Sequence, residues 1–348
     1  MNSLRRNLAV CVSVLTFASL AIATERVSVS VFGLFHPKQI TIECRQSQEI
    51  KVGRQEFVSN PGELVSFEFD HGRVRVQQGE NRLVAEQVLV SSRDGSESDF
   101  YVGVPGKIRR MYRGRMTIVA SGSELIPVVS MELETAVASV NAAEATPGAT
   151  IEALKAQAVA IRSYLVAGRP RHLQSDFCDT THCQFLKTPP PKESLAAEAT
   201  QATRGLVLAW QAKPFAAMYS ASCSGRTHSL AEIGYTVKDY PYFAADCAYC
   251  RRNPERWAAT VSREDAAALS SRSESERIRL ARKLGWSTVP SNDHSAKSNG
   301  TMVDLAGVGR GHGLGLCQRG AAAMASEGKN FREILMHYFP NATLESLK

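Results

Sequence analysis

The sequence predicts an α+β protein: a β-rich N-terminal part, then a mixed core of helices and strands that carries a helical insertion. Three observations predict it. Apolar residues alternate with period two between residues 25 and 130, an alanine-rich helical stretch follows at 151–166, and short helices and strands then mix to the end of the chain. At 348 residues the chain has room for about two domains and a sizeable core. A hydrophobic fraction of 44% with 22% charged residues excludes a chain that is disordered throughout. The net charge of +7 is mild: it suits an anionic partner and does not call for nucleic acid.

Met1–Ala23 carries Arg5 and Arg6, an apolar run from Leu8 to Ile22, and the small-residue site Ala21-Ile22-Ala23. This is the pattern of a secretory signal peptide. The run is short for a membrane span, which takes about 20 residues, so an uncleaved anchor is the lesser alternative. Cleavage after Ala23 would remove both arginines and Cys11, leaving a charge of +5 and seven of the eight cysteines. The mature chain is then expected in an oxidising compartment, where thiols pair or bind metal. No later segment is apolar enough to span a membrane.

Val27, Val29 and Val31 alternate, as do Ile40, Ile42 and Cys44, then Val65, Phe67 and Phe69, then Val74 and Val76. Each run reads as a strand with one face buried, and Asp70-His71-Gly72 reads as a hairpin turn. Residues 132–168 read as helical, with Thr150 capping a helix over 151–166 and Glu152 in its favourable first turn. Ala153, Ala156, Ala158 and Ala160 let other backbone approach it closely. Residues 170–192 read as irregular, ending on Pro189-Pro190-Pro191. Two strands are expected around Lys213-Pro214, a charged helix with a capping start over 262–285, a polar loop over 290–300, and final helices over 317–326 and 331–338.

Three features bear on chemistry. Glycine occupies every second position from Gly307 to Gly315. In an extended strand this leaves one face bare, against which another chain or a ligand can lie, with His312 on the other face. His172, Cys178, His182 and Cys183 are residue types that hold zinc, although the spacing is not that of a standard finger. The exported context favours disulfides there, with Cys223 and Cys247-x-x-Cys250 as available partners. Glu144, in Asn141-Ala-Ala-Glu144-Ala-Thr-Pro147, reads from composition alone as a surface residue. Its flanking Ala and Pro would, by partial desolvation, raise a carboxyl pKa.

The run Ile151-Glu-Ala-Leu-Lys-Ala-Gln-Ala-Val-Ala-Ile-Arg-Ser-Tyr164 closely resembles the signature helix of the SpoIID/LytB family, which comprises sporulation stage II protein D and the amidase enhancers. The resemblance extends to Tyr112-Arg-Gly114, Met131-Glu-Leu-Glu134, Tyr219-Ser-Ala-Ser-Cys-Ser-Gly-Arg-Thr227, Gly311-His-Gly-Leu-Gly-Leu-Cys-Gln-Arg-Gly-Ala321 and His337-Tyr-Phe-Pro340. It implies an exported, periplasmic or cell-wall-associated lytic transglycosylase. Such an enzyme cleaves peptidoglycan between N-acetylmuramic acid and N-acetylglucosamine without water, on strands stripped of stem peptides. Val140-Asn-Ala-Ala-Glu144 matches the family's essential-glutamate motif at the acid but not at the two residues after it.

The resemblance makes Glu144 the general acid and base. It gives Arg162, Lys155, Gln157, Tyr219, Ser222, His312 and Gln318 to substrate binding. Arg162 has a structural alternative, a pair with Glu144 or Glu134. No cofactor is required; some family members bind a metal near Cys178–Cys183, so structural zinc stays open beside disulfides. Cys223, Cys247-x-x-Cys250 and Cys317 depart from the family pattern. A glycan-binding enhancer of a separate cell-wall amidase is the alternative function, and sporulation itself does not follow. The expected division is a signal peptide over 1–23, a β-rich part over 24–130 and a catalytic core over 131–348 with an insertion at about 255–300.

Overall fold

The computed structural model describes residues 25–347 apart from 169, 235–238, 270–273 and 286, so the signal-peptide reading lies outside the described residues. The period-two runs form strands β1 (Arg26–Ser30), β2 (Gln39–Cys44), β3 (Gln48–Val52), β4 (Gln55–Ser59), β5 (Leu64–Asp70), β6 (Arg73–Gln78), β7 (Asn81–Ala85), β8 (Gln87–Ser91), β9 (Ser98–Val104), β10 (Ile108–Ser121) and β11 (Glu124–Glu132). The expected hairpin between β5 and β6 is a two-residue turn in which His71 and Gly72 both take positive φ.

These strands and β12 (Phe177–Cys178) form one branched sheet in the order β12-β1-β11-β10-β9-β2-β5-β6-β7. The branch is at β10. Its first half, Ile108–Gly114, pairs with β9; its second half pairs with β11 on one edge and β8 on the other, and β8 continues to β3 and β4. The strand turns at Gly114, at φ 143°, where a Cβ would lie 2.3 Å from the Ser130 carbonyl oxygen. The two arms therefore face each other and close on a core that includes Ile40, Ile42, Phe67, Val88, Val90, Phe100 and Ile118.

Helix α1 (Leu133–Glu144) leaves β11 directly, and α2 (Ile151–Ala167) follows. Thr150 stands at the N-cap of α2 but does not cap it with its side chain; its Oγ1 is buried without a partner among the described residues. The α2 alanines do what their size allows. Ala158 and Ile161 pack into the β core, while Ala156, Val159 and Ala160 pack into a second core.

That second core is built by β13 (Leu206–Trp210), which pairs with β14 (Lys213–Pro214) and β20 (Thr343–Ser346), and by α7 (Gln318–Ser326) and α8 (Phe331–Tyr338). Helix α3 (Leu195–Ala202) packs on α1 and α2, and α4 (Ala248–Arg252) packs on α7. Strand β15 (Tyr219–Ser220) runs parallel to β19 (Leu316–Cys317).

The segment between them departs from the expected charged helix over 262–285 and polar loop over 290–300. After α4 it holds, among the described residues, helices α5 (Arg263–Leu269) and α6 (Glu274–Leu284) and a three-stranded sheet of β16 (Arg256–Ser262), β17 (His294–Asn299) and β18 (Met302–Val308). Strand β17 is exposed along most of its length, so no buried face leaves a period to read. The capping start is present: the Ser262 hydroxyl accepts from the Asp265 N–H at 3.0 Å. No helix among the described residues is long and apolar enough to cross a membrane.

Candidate active site

The glycine run is not the extended strand its alternation predicts. Gly309, Gly311, Gly313 and Gly315 all take positive φ. The bare side does carry another chain segment, residues 218–222. A Cβ on Gly309 would lie 2.8 Å from the Ser222 carbonyl oxygen, and one on Gly315 would lie 2.0 Å from that of Met218. These contacts lock the 218–222 segment against the 309–317 segment, with Ser222 bridged to Arg310 and Tyr219 registered with Leu316.

Tyr219, held this way, donates its hydroxyl hydrogen bond to Glu144 Oε2. Glu144 ends α1, and its Oε1 accepts from the Phe185 backbone N–H at 2.5 Å. Gln318, at the start of α7, donates its Nε2 to the Glu144 carbonyl oxygen at 2.7 Å. Two segments more than 30 residues apart in sequence thus converge on the carboxyl group, and a third holds the backbone of the same residue. Burial raises the Glu144 pKa above the usual carboxylate value, and the two hydrogen bonds only partly oppose it. Burial also pushes the Tyr219 phenol well up, so it remains a donor.

His312 supports Tyr219 from behind. Its Nδ1 accepts from the Leu314 N–H at 3.0 Å, and a hydrogen bond with the Tyr219 backbone opposes the effect of burial on its pKa. Burial holds its pKa down to about 4, so the ring is neutral near pH 7.

The remaining candidates are not brought to Glu144. Arg162 is fully buried and grips Glu134 with Nε and Nη2 at 2.8 and 2.7 Å, while also donating to the carbonyls of Leu206 and Thr200. Its guanidinium is spent inside the core, which corrects the expectation that it orients sugar. It also settles the alternative, since the partner is Glu134 and not Glu144. Lys155 pairs with Glu152 at 2.7 Å, and Glu152 accepts from the Phe331 N–H with its other oxygen. Gln157 is buried on α2, with its Nε2 lacking a partner among the described residues. Ser222 gives its hydroxyl to Glu255 at 2.6 Å, in a cluster with Arg310 and Arg319.

Two participants were not foreseen. Phe185 contributes only a backbone N–H, for which no side-chain signal exists. Gln184, buried beside it, has neither amide atom partnered among the described residues. Both follow directly on the His172, Cys178, His182 and Cys183 tetrad. There, Cys178 Sγ lies 3.5 Å from Cys183 Sγ and 3.7 Å from His182 Nδ1, and His172 Nε2 lies 3.3 Å from Cys183 Sγ. All four ligand atoms fall within 4.8 Å of one another. Zinc bonds of about 2.0–2.3 Å give tetrahedral edges of roughly 3.3–3.8 Å, so the tetrad fits zinc. The sulfurs are not at the roughly 2.05 Å of a disulfide. Asp179, next to Cys178, is anchored from the sheet by Arg110 Nη1 at 3.2 Å and the Tyr112 hydroxyl at 3.4 Å. Burial lifts its pKa to about 6 against the Arg110 charge.

Residues 121–210 match a family model described as stage II sporulation protein, SpoIID, a span that holds Glu144, Arg162 and the tetrad. An uncharacterized protein of Brachyspira hyodysenteriae is 28% identical over 262 residues, covering 66% of this chain and 70% of that protein. The stage II sporulation protein D of Bacillus amyloliquefaciens is 26% identical over 262 residues, 61% of this chain and 74% of its own. The amidase enhancer of Bacillus subtilis is 34% identical over 67 residues, 19% of this chain and 10% of its own.

Proposed function

Because the chain belongs to the SpoIID/LytB family and so has a cell-wall role, we propose that it is an exported lytic transglycosylase acting on peptidoglycan strands that lack stem peptides. The observation that carries this reading is Glu144: a desolvated carboxyl with a raised pKa, steadied by neutral donors from Tyr219 and Phe185. A carboxyl whose pKa is raised keeps its proton to higher pH than an ordinary glutamate, which suits general acid work.

In the proposed reaction Glu144 gives its proton to the glycosidic oxygen as the bond from muramic C1 breaks. The resulting carboxylate takes the proton of the muramic C6 hydroxyl as that oxygen bonds to C1. Glu144 ends protonated, as it began, and the products are a free N-acetylglucosamine hydroxyl and a 1,6-anhydromuramic end. The substrate supplies the nucleophile, so the second carboxylate that ordinary glycosidases need has no task. Tyr219 and the Phe185 N–H stabilise the anion between the two steps, and His312 and Gln318 hold the frame. Zinc on His172, Cys178, His182 and Cys183 would be a structural cross-link that fixes the loop carrying Phe185. The expected positive charge of the mature chain suits an anionic wall.

Mass spectrometry of products from native and denuded peptidoglycan tests this reading. Anhydro-muramic ends are expected from the denuded glycan. If neither substrate is cut and a cell-wall amidase is stimulated instead, the chain is a glycan-binding enhancer, the reading that the amidase-enhancer relative favours.

The pH profile gives a second check. The acid form of Glu144 is the active one, so kcat/KM falls as pH rises through its raised pKa. The Tyr219 hydrogen bond favours the carboxylate and lowers that pKa. Tyr219→Phe is therefore expected to move the alkaline limb upward; a limb that stays or moves downward speaks against Glu144 as the titrating acid.

A further inference from the structure

Four cysteines outside the Glu144 site lie together in the second core. Cys223 follows β15, Cys247 and Cys250 bracket the first turn of α4, and Cys317 ends β19. All four are buried, with at most 3% of their surface exposed, and their sulfurs lie within 4.8 Å of one another. We propose that Cys223, Cys247, Cys250 and Cys317 form a second metal centre, a tetrathiolate that holds one tetrahedral zinc ion.

The geometry favours a single ion. Cys250 Sγ and Cys317 Sγ are 3.6 Å apart. Four thiolates at zinc bonds of about 2.3 Å sit on a tetrahedron with edges of roughly 3.8 Å, whereas a disulfide brings its sulfurs to about 2.05 Å. A multinuclear iron–sulfur cluster puts inorganic sulfide between its irons and spreads the thiolates further apart than they are here. Cys247-x-x-Cys250 also has the two-residue spacing with which one short turn presents two sulfurs to one ion.

The surroundings are those of a thiolate site. Cys317 is the N-cap of α7, where its sulfur accepts from the Gly320 N–H at 3.4 Å and meets the positive end of the helix dipole. The Tyr338 hydroxyl donates to Cys247 Sγ at 3.6 Å. Gly320 leaves the space open: a Cβ there would lie 2.5 Å from Cys247 Sγ and 2.1 Å from the Tyr338 oxygen. Such outer hydrogen bonds orient ligands and temper their charge.

The ion would fasten three chain segments. Cys223 lies four residues beyond Tyr219, and Cys317 directly precedes Gln318, so the tetrathiolate pins two of the three partners of Glu144. The centre goes beyond the catalytic reading and stands or falls separately from it.

The test uses the full chain purified without chelator from zinc-supplemented cells, with metal content read by plasma mass spectrometry. Cys178→Ser/Cys183→Ser removes two sulfurs of the other tetrad, so any zinc left reports on this one. About one equivalent is expected to remain, and to be lost when Cys247→Ser/Cys250→Ser is added. Since the added pair risks unfolding the chain, cobalt(II) is also bound to metal-stripped Cys178→Ser/Cys183→Ser protein. The intense visible bands and thiolate-to-cobalt charge transfer of a tetrahedral sulfur set are expected. A folded chain without that spectrum, or an intact mass showing two disulfides among the four cysteines, overturns the proposal.

Discussion

Glu144→Gln is expected to abolish the release of anhydro-muramic ends from denuded glycan, a loss of at least about 10²- to 10⁴-fold. The amide keeps the size of the side chain: its oxygen accepts from the Phe185 N–H and its NH2 donates to the Tyr219 hydroxyl oxygen, but it neither gives nor takes a proton. The same change is expected to raise stability, and the sign follows from the pKa. Burial raises the folded-state value above the 4.5 of an ordinary glutamate. Folding therefore favours the protonated form, and the wild type loses stability as pH rises from the unfolded value through the folded one. The Gln variant escapes that loss, so its advantage should be absent below about pH 4 and present at neutrality. Thermal melts across pH, paired with product assays, read both effects. An active Gln variant, or one less stable than wild type at neutral pH, removes Glu144 from the acid role.

Arg162→Leu is expected to cost about 3–5 kcal/mol, because it leaves the Glu134 carboxylate buried beside it without its cation. For a protein of this size that is a fall in melting temperature of roughly 10 °C. Lysine should not rescue it. The guanidinium serves Glu134 with two nitrogens and the carbonyls of Leu206 and Thr200 besides, which a single ammonium cannot match. Adding Glu134→Leu should recover part of the loss by removing the stranded charge. If Arg162→Leu melts like wild type but no longer binds glycan, Arg162 meets substrate and its core position is misread.

Much of this arrangement was legible because burial writes a period into the chain. The runs around Val27, Ile40, Val65 and Val74 are strands because one face meets the core, and both final helices end where Gly328 and Pro340 require. The polar strand His294–Asn299 escaped since it buries almost nothing. The glycines at 309–315 were legible as a place of close approach but not as a left-handed path, which their identity permits without signalling. At the site, motif position marked Glu144, Tyr219, His312 and Gln318 as candidates, and the fold gathers them. The same motif reading swept in Arg162 and Gln157, since residues that build a helix core recur in a signature alongside residues that face a ligand. The Phe185 N–H left no trace, as any residue offers one.

Helix α2 is a party wall. Ile161 and Tyr164 belong to the β-rich core, Val159 and Ala160 to the other, and they alternate along the same few turns. Neither half can shed α2 without exposing a core, so loosening on one side is felt on the other. A truncation before α2 would remove a wall of the β-rich part rather than free a module. In hydrogen exchange, the amides of α2 should open with the whole molecule and not with either half. The acid at the end of α1 is thus mounted beside an element whose order both halves share.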